Sequence, residues 1–329
     1  MRKIFKKILF GFIVPFLIFV GYFFIGAAPQ TEKISWGVNF SQRHAEYLGL
    51  DWQETYSALI DDLGVKRIKI ASQWDMIEPL AGEYRFRDLD WLIKTAEEAK
   101  VEVLLVVGVK TGRWPECRIP DWAKNLEKEN QQDRILKLIE NIILRYRNAD
   151  SIKYWQVENE PFFPFGECPW TDKEFLKKEI ALVKSLDAQR PIIISDAGEF
   201  SFWITAARLG DIVSTTLHRK VWFQEIRTYI TYPLKPVFYW KKYQIIKKFF
   251  GKEVIGGELQ AEPWCRQGIR DCSLEEQKTM NLQLFQENVE FAKKTGLKEF
   301  YLWGAEWWYW LKETQHSPEI WNEAKNLLK

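Results

Sequence analysis

Histidine is scarce in this sequence, and the histidine motifs of metalloenzymes are missing. Only 3 His occur among 329 residues, and none belongs to an H-x-H or H-E-x-x-H pattern. Because catalytic zinc sites draw mainly on histidine ligands, this scarcity argues against a metal-dependent hydrolase. The first strand-like run is not followed by a glycine-rich phosphate turn, which argues against a dinucleotide-binding fold. We therefore expect no metal and no cofactor.

Acidic residues are missing from the first 30 positions, where four basic residues lie. The formal net charge of the whole chain is +2, so setting aside Arg2, Lys3, Lys6 and Lys7 leaves −2 for the rest. That balance provides no excess of positive charge to attract phosphates. We therefore expect no nucleic-acid partner.

Charge is also absent from residues 8–28, an apolar run that follows the basic N-terminal residues. A run of this length is about what a helix needs to span a bilayer. A cleaved signal peptide is the alternative, but Pro29 directly after Ala27-Ala28 disfavours cleavage there. We expect residues 1–30 to anchor the protein in the cytoplasmic membrane. By the positive-inside rule, residues 31–329 then lie on the extracytoplasmic side, at the cell surface or in the periplasm; secretion is the alternative.

The chain has only four cysteines, and no pair of them has C-x-x-C spacing. In an exported domain such cysteines are typical of disulfides rather than of zinc sites. Cys265 and Cys272 are close enough in sequence to close a short loop, which would leave Cys117 for Cys168. This is one of three possible pairings, and the spacing alone does not choose among them.

Past residue 30, strand-like runs alternate with amphipathic helices, without repeats or low-complexity segments. Eight such βα units in about 300 residues predict one α/β domain, a single (β/α)8 TIM barrel, over residues 31–329. A doubly wound open sheet is the competing architecture. The predicted strands cover residues 34–38, 65–70, 101–107, 152–157, 191–195, 212–217, 253–257 and 299–303.

Carboxylates, amides and tryptophans follow the predicted strands. The fourth strand ends in Asn159-Glu160-Pro161, and the seventh runs into Glu258. In a barrel the loops after the strands build one face. Indoles stack on the apolar faces of sugar rings while polar groups bind hydroxyls, so this set predicts a carbohydrate site. The candidate residues are Asn39, Trp74, Trp114, Asn159, Glu160, His218, Glu258, Glu262, Trp264, Trp303 and Glu306.

The two strand-end motifs, together with the segment 74–90 after the second strand, resemble the barrel superfamily of retaining glycoside hydrolases known as clan A. The resemblance covers roughly residues 34–310. The motifs are similar to those of β-galactosidase-, cellulase- and xylosidase-like members. It implies that Glu160 is the acid/base and Glu258 the nucleophile, with carboxyl groups roughly 5 Å apart. It further implies that Asn159 holds the 2-hydroxyl of the sugar and that Trp303 is a stacking platform.

Two positions depart from that superfamily's pattern. Lys69 stands where many members carry the arginine that supports the nucleophile, and it is a candidate site residue for that reason. His218-Arg219-Lys220 replaces a frequent His-x-Tyr, so the expected tyrosine hydroxyl is missing. Glu262 is a rival nucleophile, but Glu258 follows its strand directly and is held more firmly there.

The function expected from these features is a membrane-anchored retaining β-glycosidase that acts as a monomer on a carbohydrate substrate. A transglycosidase and a non-catalytic glycan-binding barrel are the alternatives, and the sugar and its linkage remain open. Cys117 and Cys168 follow adjacent strands of the predicted barrel, which favours bridges Cys117–Cys168 and Cys265–Cys272. Because so few residues join the anchor to the first strand, we expect the bottom of the barrel to face the membrane.

Overall fold

Eight parallel strands close into a barrel in the described part of the chain. The computed structural model describes residues 11, 13–15, 17, 21–223, 226–265, 268–270, 272 and 278–329. Around the barrel the strand order is β1-β10-β9-β6-β5-β4-β3-β2. These strands are β1 (Ser35–Phe40), β2 (Arg67–Ala71), β3 (Glu102–Val107), β4 (Ile152–Val157), β5 (Ile192–Asp196), β6 (Ile212–Leu217), β9 (Glu253–Gln260) and β10 (Glu299–Trp303).

Helices surround the barrel because each carries one apolar stripe. In the helix that covers β3 and β4, this stripe consists of Ile135, Leu138, Ile139 and Ile142, all fully buried. The helices are α1 (Gln42–Tyr47), α2 (Trp52–Asp61), α3 (Trp74–Ile77), α4 (Arg87–Glu98), α5 (Lys128–Tyr146), α6 (Lys173–Leu186), α7 (Ile204–Leu209), α8 (Pro236–Phe250), α9 (Leu282–Lys293), α10 (Ala305–Thr314) and α11 (Glu319–Leu328), with a 3-10 turn at Asp121–Ala123.

The alternation of side chains along the strands separates two apolar cores. Val103, Leu105 and Val107 of β3 point outward into the large core beneath the helices. The intervening Leu104 and Val106 point inward, where they meet Ile193, Ile255 and Tyr301 inside the barrel. This interior plug fills the barrel, so polar side chains reach open space only at the carboxyl ends of the strands.

The expected single barrel is confirmed, and each predicted barrel strand overlaps an observed one. A short antiparallel hairpin after β6 was not predicted: β7 (Lys220–Phe223) pairs with β8 (Thr228–Thr231). Its strands are only four residues long, so the sequence shows no extended alternation there. The hairpin rises over the same face as the loops that follow the barrel strands.

The described N-terminal residues follow the outside of the barrel. Phe23 packs on Phe202, just before α7, and on Phe238, near the start of α8, and these helices begin at the carboxyl-end face. Thr31 instead donates its backbone N–H to Lys293 at the end of α9, on the opposite face. Residues 25–31 thus run from one face to the other, while the expectation that the bottom of the barrel faces the membrane stays a prediction.

The predicted membrane anchor is only partly covered by the structure. Residues 8–10, 12, 16 and 18–20 of the expected span, like the basic residues 1–7, lie outside the described residues. Among the residues that are described, no helix has both the length and the apolar character needed to cross a bilayer.

Both disulfides form as expected. Cys117 in the loop after β3 bonds Cys168 in the loop after β4, with Cα atoms 5.2 Å apart. Cys265 bonds Cys272 in the segment after β9, with Cα atoms 5.9 Å apart. The first bridge therefore ties together two neighbouring loops of the carboxyl-end face.

Replacing Cys117 and Cys168 together by serine should lower the free energy of unfolding by about 4 kcal/mol, because loop-closure entropy grows with loop length. That bridge spans 51 positions, whereas Cys265–Cys272 spans 7. The matched double serine variant of the short bridge should lose only about 2 kcal/mol. Urea denaturation measures both values, and equal losses would show that loop length does not set the contribution.

Candidate active site

The predicted nucleophile, Glu258, lies on β9, and its carboxylate lies between the side chains of Lys69 and His218. Lys69 on β2 donates to its Oε1 at 2.8 Å, and His218 Nε2 lies 3.4 Å from its Oε2. Burial alone would raise the pKa of Glu258, but Lys69 and His218 outweigh it and lower that pKa well below the usual value. The Glu258 carboxylate is therefore ionised at neutral pH, as a nucleophile must be.

The predicted acid/base, Glu160, has the opposite electrostatic environment. Its backbone N–H donates to Ser195 Oγ at 2.7 Å, and its Oε1 accepts a hydrogen bond from Thr216 at 2.9 Å. Burial raises the pKa of Glu160, and the nearby charge of Glu258 raises it further. The two carboxyl groups thus have pKa values displaced in opposite directions, the arrangement that lets one act as an acid while the other stays ionised.

Asn159 is joined to Glu258 through Lys69. Its Oδ1 accepts from Lys69 at 3.3 Å and from Gln156 at 3.0 Å. These two contacts fix the amide orientation, and the Asn159 side chain also hydrogen-bonds Glu116. Gly112 leaves the space beside that amide open, since a side chain there would come within 3.4 Å of Nδ2.

A second charged cluster lies beside the first. Arg113 donates to both Glu262 and Glu306, and its guanidinium lies 4.1 Å from the centre of the Trp303 ring. Trp303 Nε1 also donates to Glu262, at 2.9 Å. His44 completes the cluster, 3.3 Å from Glu262.

The carboxylates and the imidazole of this cluster have the spacing of a cation site. Ligand atoms of His44, Glu262 and Glu306 lie within 4.8 Å of one another. Arg113 already occupies one oxygen of each carboxylate, and the backbone N–H of Ser41 donates to the other oxygen of Glu306. Burial opposes ionisation of Glu262, but Arg113 and His44 outweigh it and lower its pKa to about 2.

Four of the predicted residues line one cleft, and neither Glu160 nor Glu258 is among its lining residues. Asn39 donates to the backbone carbonyl of Gly257 at 3.1 Å and so joins β1 to β9. Trp264 lies at the edge of the His218 ring, 5.3 Å between centroids. Cleft-lining members of the predicted set are Asn39, Lys69, Trp303 and Glu306, together with Arg113 and Gly112.

Trp74 corrects one expectation. It is 0% exposed, and its indole N–H donates to Glu78 at 2.8 Å while its ring meets the edge of Trp122. An indole with both faces covered cannot stack on a sugar, so Trp74 braces the loop after β2. Trp114 shows the opposite behaviour, since it is 61% exposed at the outer rim of the face.

Two buried glutamates were missed from sequence. Glu158 accepts from the backbone amides of Val109 and Lys110, and a side chain at Gly108 would lie 2.3 Å from its carboxylate. Glu116 lies close to the catalytic pair, and burial raises its pKa to about 7. Glu158 directly follows β4, but the sequence does not show that its carboxylate turns toward the end of β3. Glu116 lies in the loop after β3, and only the general density of acids near these strand ends pointed to it.

Comparison with known proteins agrees with this geometry. The model of glycosyl hydrolase family 10 matches residues 53–178, fewer than half of the chain. Solved structures share the fold: GH5_18 from Streptomyces cattleya in complex with GlcNAc gives a TM-score of 0.58 at 12% identity, over 84% of this chain and 71% of that one. The resemblance to barrel glycoside hydrolases is confirmed. These matches support a glycosidase and leave its family within the superfamily unresolved.

Two further relatives show how wide the resemblance is. Xylanase 10B from Thermotoga petrophila, solved with xylobiose, gives a TM-score of 0.55 at 15% identity, over 83% of this chain and 82% of that one. Beta-galactosidase BgaA of Clostridium cellulovorans is 22% identical over 173 residues. That match covers 46% of this chain but only 26% of the longer relative.

Replacing Lys69 by glutamine should shift the acidic limb of the pH profile of kcat/KM upward. Lys69 stabilises the ionised form of Glu258, so without it the carboxylate binds its proton more tightly and activity is lost at higher pH. We expect a shift of about one unit or more, measured on an aryl β-glycoside. Lys69→Arg keeps the charge and should leave the limb nearly in place. An unchanged limb in Lys69→Gln would mean that Lys69 does not control the nucleophile.

Proposed function

We propose that this protein is a retaining β-glycosidase in which Glu160 is the acid/base and Glu258 the nucleophile. The observation that carries the proposal is the opposite displacement of two neighbouring buried pKa values, one raised at Glu160 and one lowered at Glu258. A barrel that only binds glycans has no need of such a difference. Glu160 also lies just after β4 and Glu258 near the carboxyl end of β9, the two strands that the superfamily pattern implies.

In the first step, Glu258 attacks the anomeric carbon as the bond from that carbon to the leaving oxygen breaks. Glu160 gives its proton to that oxygen, so the leaving group departs as a neutral alcohol. The product of this step is a glycosyl ester of Glu258. The ester of Glu258 has no negative charge, so that charge no longer raises the pKa of Glu160. Glu160, which has lost its proton, can now act as a base.

In the second step, Glu160 takes a proton from water while the water oxygen attacks the anomeric carbon. The ester bond breaks, and Glu258 returns to its ionised form beside Lys69 and His218. Lys69 holds both the nucleophile and Asn159, so the amide that is expected to bind the 2-hydroxyl is fixed relative to the attacking oxygen. Such positioning is a main source of catalysis because it removes the entropy cost of orientation.

We further propose that the barrel works outside the cytoplasm, held near the membrane by residues 8–28. Two disulfides in one domain are typical of oxidising compartments, which supports export. The uncharged run and its basic flank support retention at the cytoplasmic membrane. Protease added to intact cells, or to spheroplasts where an outer membrane is present, should digest the barrel; full protection would contradict export.

Glu258→Gly should abolish turnover of aryl β-glycosides, and added azide should restore part of it by occupying the space of the missing carboxylate. The restored product should be an α-glycosyl azide, since azide attacks from the face that Glu258 used. Product analysis by nuclear magnetic resonance checks the configuration.

Glu262→Gln is the matched control for that experiment, because Glu262 lies in the same segment and also has a lowered pKa. Its variant should keep measurable turnover and should gain nothing from azide. An inactive Glu262→Gln variant together with an active Glu258→Gln variant would make Glu262 the nucleophile instead of Glu258.

A further inference from the structure

Aromatic side chains, two of them exposed and three half-buried, form a continuous strip along one side of the face at the carboxyl ends of the strands. We call the aromatic strip the set Trp114, Phe165, Phe163, Phe200 and Tyr232. Consecutive rings are 5.9, 6.1, 5.5 and 5.5 Å apart between centroids. The strip crosses the loops after β3, β4 and β5 and ends just beyond the hairpin β7–β8. Trp114 is 61% exposed and Phe200 is 58% exposed, although large apolar side chains are usually covered.

The aromatic strip lies next to the proposed acid, Glu160. Phe163 donates its backbone N–H to the carbonyl of Glu160 at 3.0 Å, so the strip begins within three residues of the proposed acid. An acid that protonates the leaving oxygen faces the leaving group, not the sugar that stays on the nucleophile. A leaving group that Glu160 protonates would therefore lie near Phe163 and its neighbours.

The chemistry of the aromatic strip suits an apolar leaving group better than a further sugar. Sugar platforms pair an exposed ring with polar groups that bind hydroxyls, as in the cluster of Trp303, Arg113 and Glu262. Three of the five strip residues are phenylalanines, whose side chains have no group to bind a hydroxyl. An alkyl chain needs only apolar surface, and it gains free energy with each methylene that leaves water.

A second apolar element ends at the same edge. Phe23 packs on Phe202 at 5.3 Å, only two residues from Phe200, and Phe24 packs on Phe238 at 5.5 Å. From Tyr22 back to Ile8 the sequence carries no charge. The apolar N-terminal run is thus adjacent to the aromatic strip. With that run in a bilayer, the lipid and the leaving group lie on the same side of the barrel.

We propose that the leaving group is a lipid, so that this protein removes a sugar head group from a glycolipid at a membrane surface. The inference rests on the proposed glycosidase activity and names the substrate class for it. The catalytic face then meets the bilayer obliquely, with the aromatic strip toward the lipid and the cluster around Arg113 and Trp303 toward the sugar.

The test compares alkyl β-glycosides that share one sugar and differ only in chain length. A screen of aryl β-glycosides first identifies the sugar that is cleaved. The full-length chain in lipid nanodiscs is then given the methyl to dodecyl glycosides of that sugar, each below its critical micelle concentration. We expect kcat/KM to rise with chain length, up to about fourfold for each methylene that is buried.

Variants separate the aromatic strip from simple partitioning into the nanodisc. In Phe200→Ser and Trp114→Ser, the loss on the dodecyl glycoside should exceed the loss on the methyl glycoside at least tenfold. Phe249→Ser is the matched control, because Phe249 is 70% exposed but lies at the far end of α8. It should leave the dependence on chain length unchanged.

Three results would overturn the inference, and the third would also refute the proposed glycosidase activity. A kcat/KM that does not vary with chain length would exclude a lipid leaving group while leaving the glycosidase intact. Faster cleavage of soluble oligosaccharides, lost in Phe200→Ser, would make the aromatic strip a set of sugar subsites. Inactivity on every glycoside, aryl ones included, would refute the proposed function and the inference together.

Discussion

The buried ion pair between Lys69 and Glu258 is the interaction on which the site depends. Both side chains are almost fully covered, and a buried charge without its partner costs several kcal/mol. Each therefore requires the other, and His218 lies against the remaining oxygen of the carboxylate. Burial raises the pKa of Glu160, and the negative charge of Glu258 raises it further. Removing Lys69 would therefore change the environment of both carboxyl groups.

The barrel makes this arrangement possible because its interior has two regions of different character. Apolar side chains such as Leu104 and Tyr301 fill the barrel and exclude water from beneath the site. Above them, β2, β4 and β9 bring Lys69, Asn159 and Glu258 together, although these residues lie as much as 189 positions apart in the chain. In such an enclosed region a charge acts more strongly on its neighbours than it would in water.

The sequence was sufficient to predict the barrel, its strands, both disulfides and the placement of Glu160 and Glu258 at strand ends. These features depend on local periodicity and on the rule that loops after parallel strands share one face. Trp74 was misplaced because the direction of its side chain depends on packing against Trp122, which is distant in sequence. Glu116 and Glu158 were missed because their importance depends on burial, which also results from contacts that are distant in sequence. The expectation that the bottom of the barrel faces the membrane stays a prediction, because a count of linking residues does not fix the direction of the chain.

The contact between Glu158 and the two amides that follow Gly108 has a consequence for how this protein can vary. Glu158 closes the end of β4 onto the end of β3, and only glycine leaves room for its carboxylate at position 108. The ends of the two strands are therefore matched in length as well as in sequence. An insertion or deletion that shifts one of them is tolerated only with a compensating change in the other. In a family of homologues these two strand ends should change together.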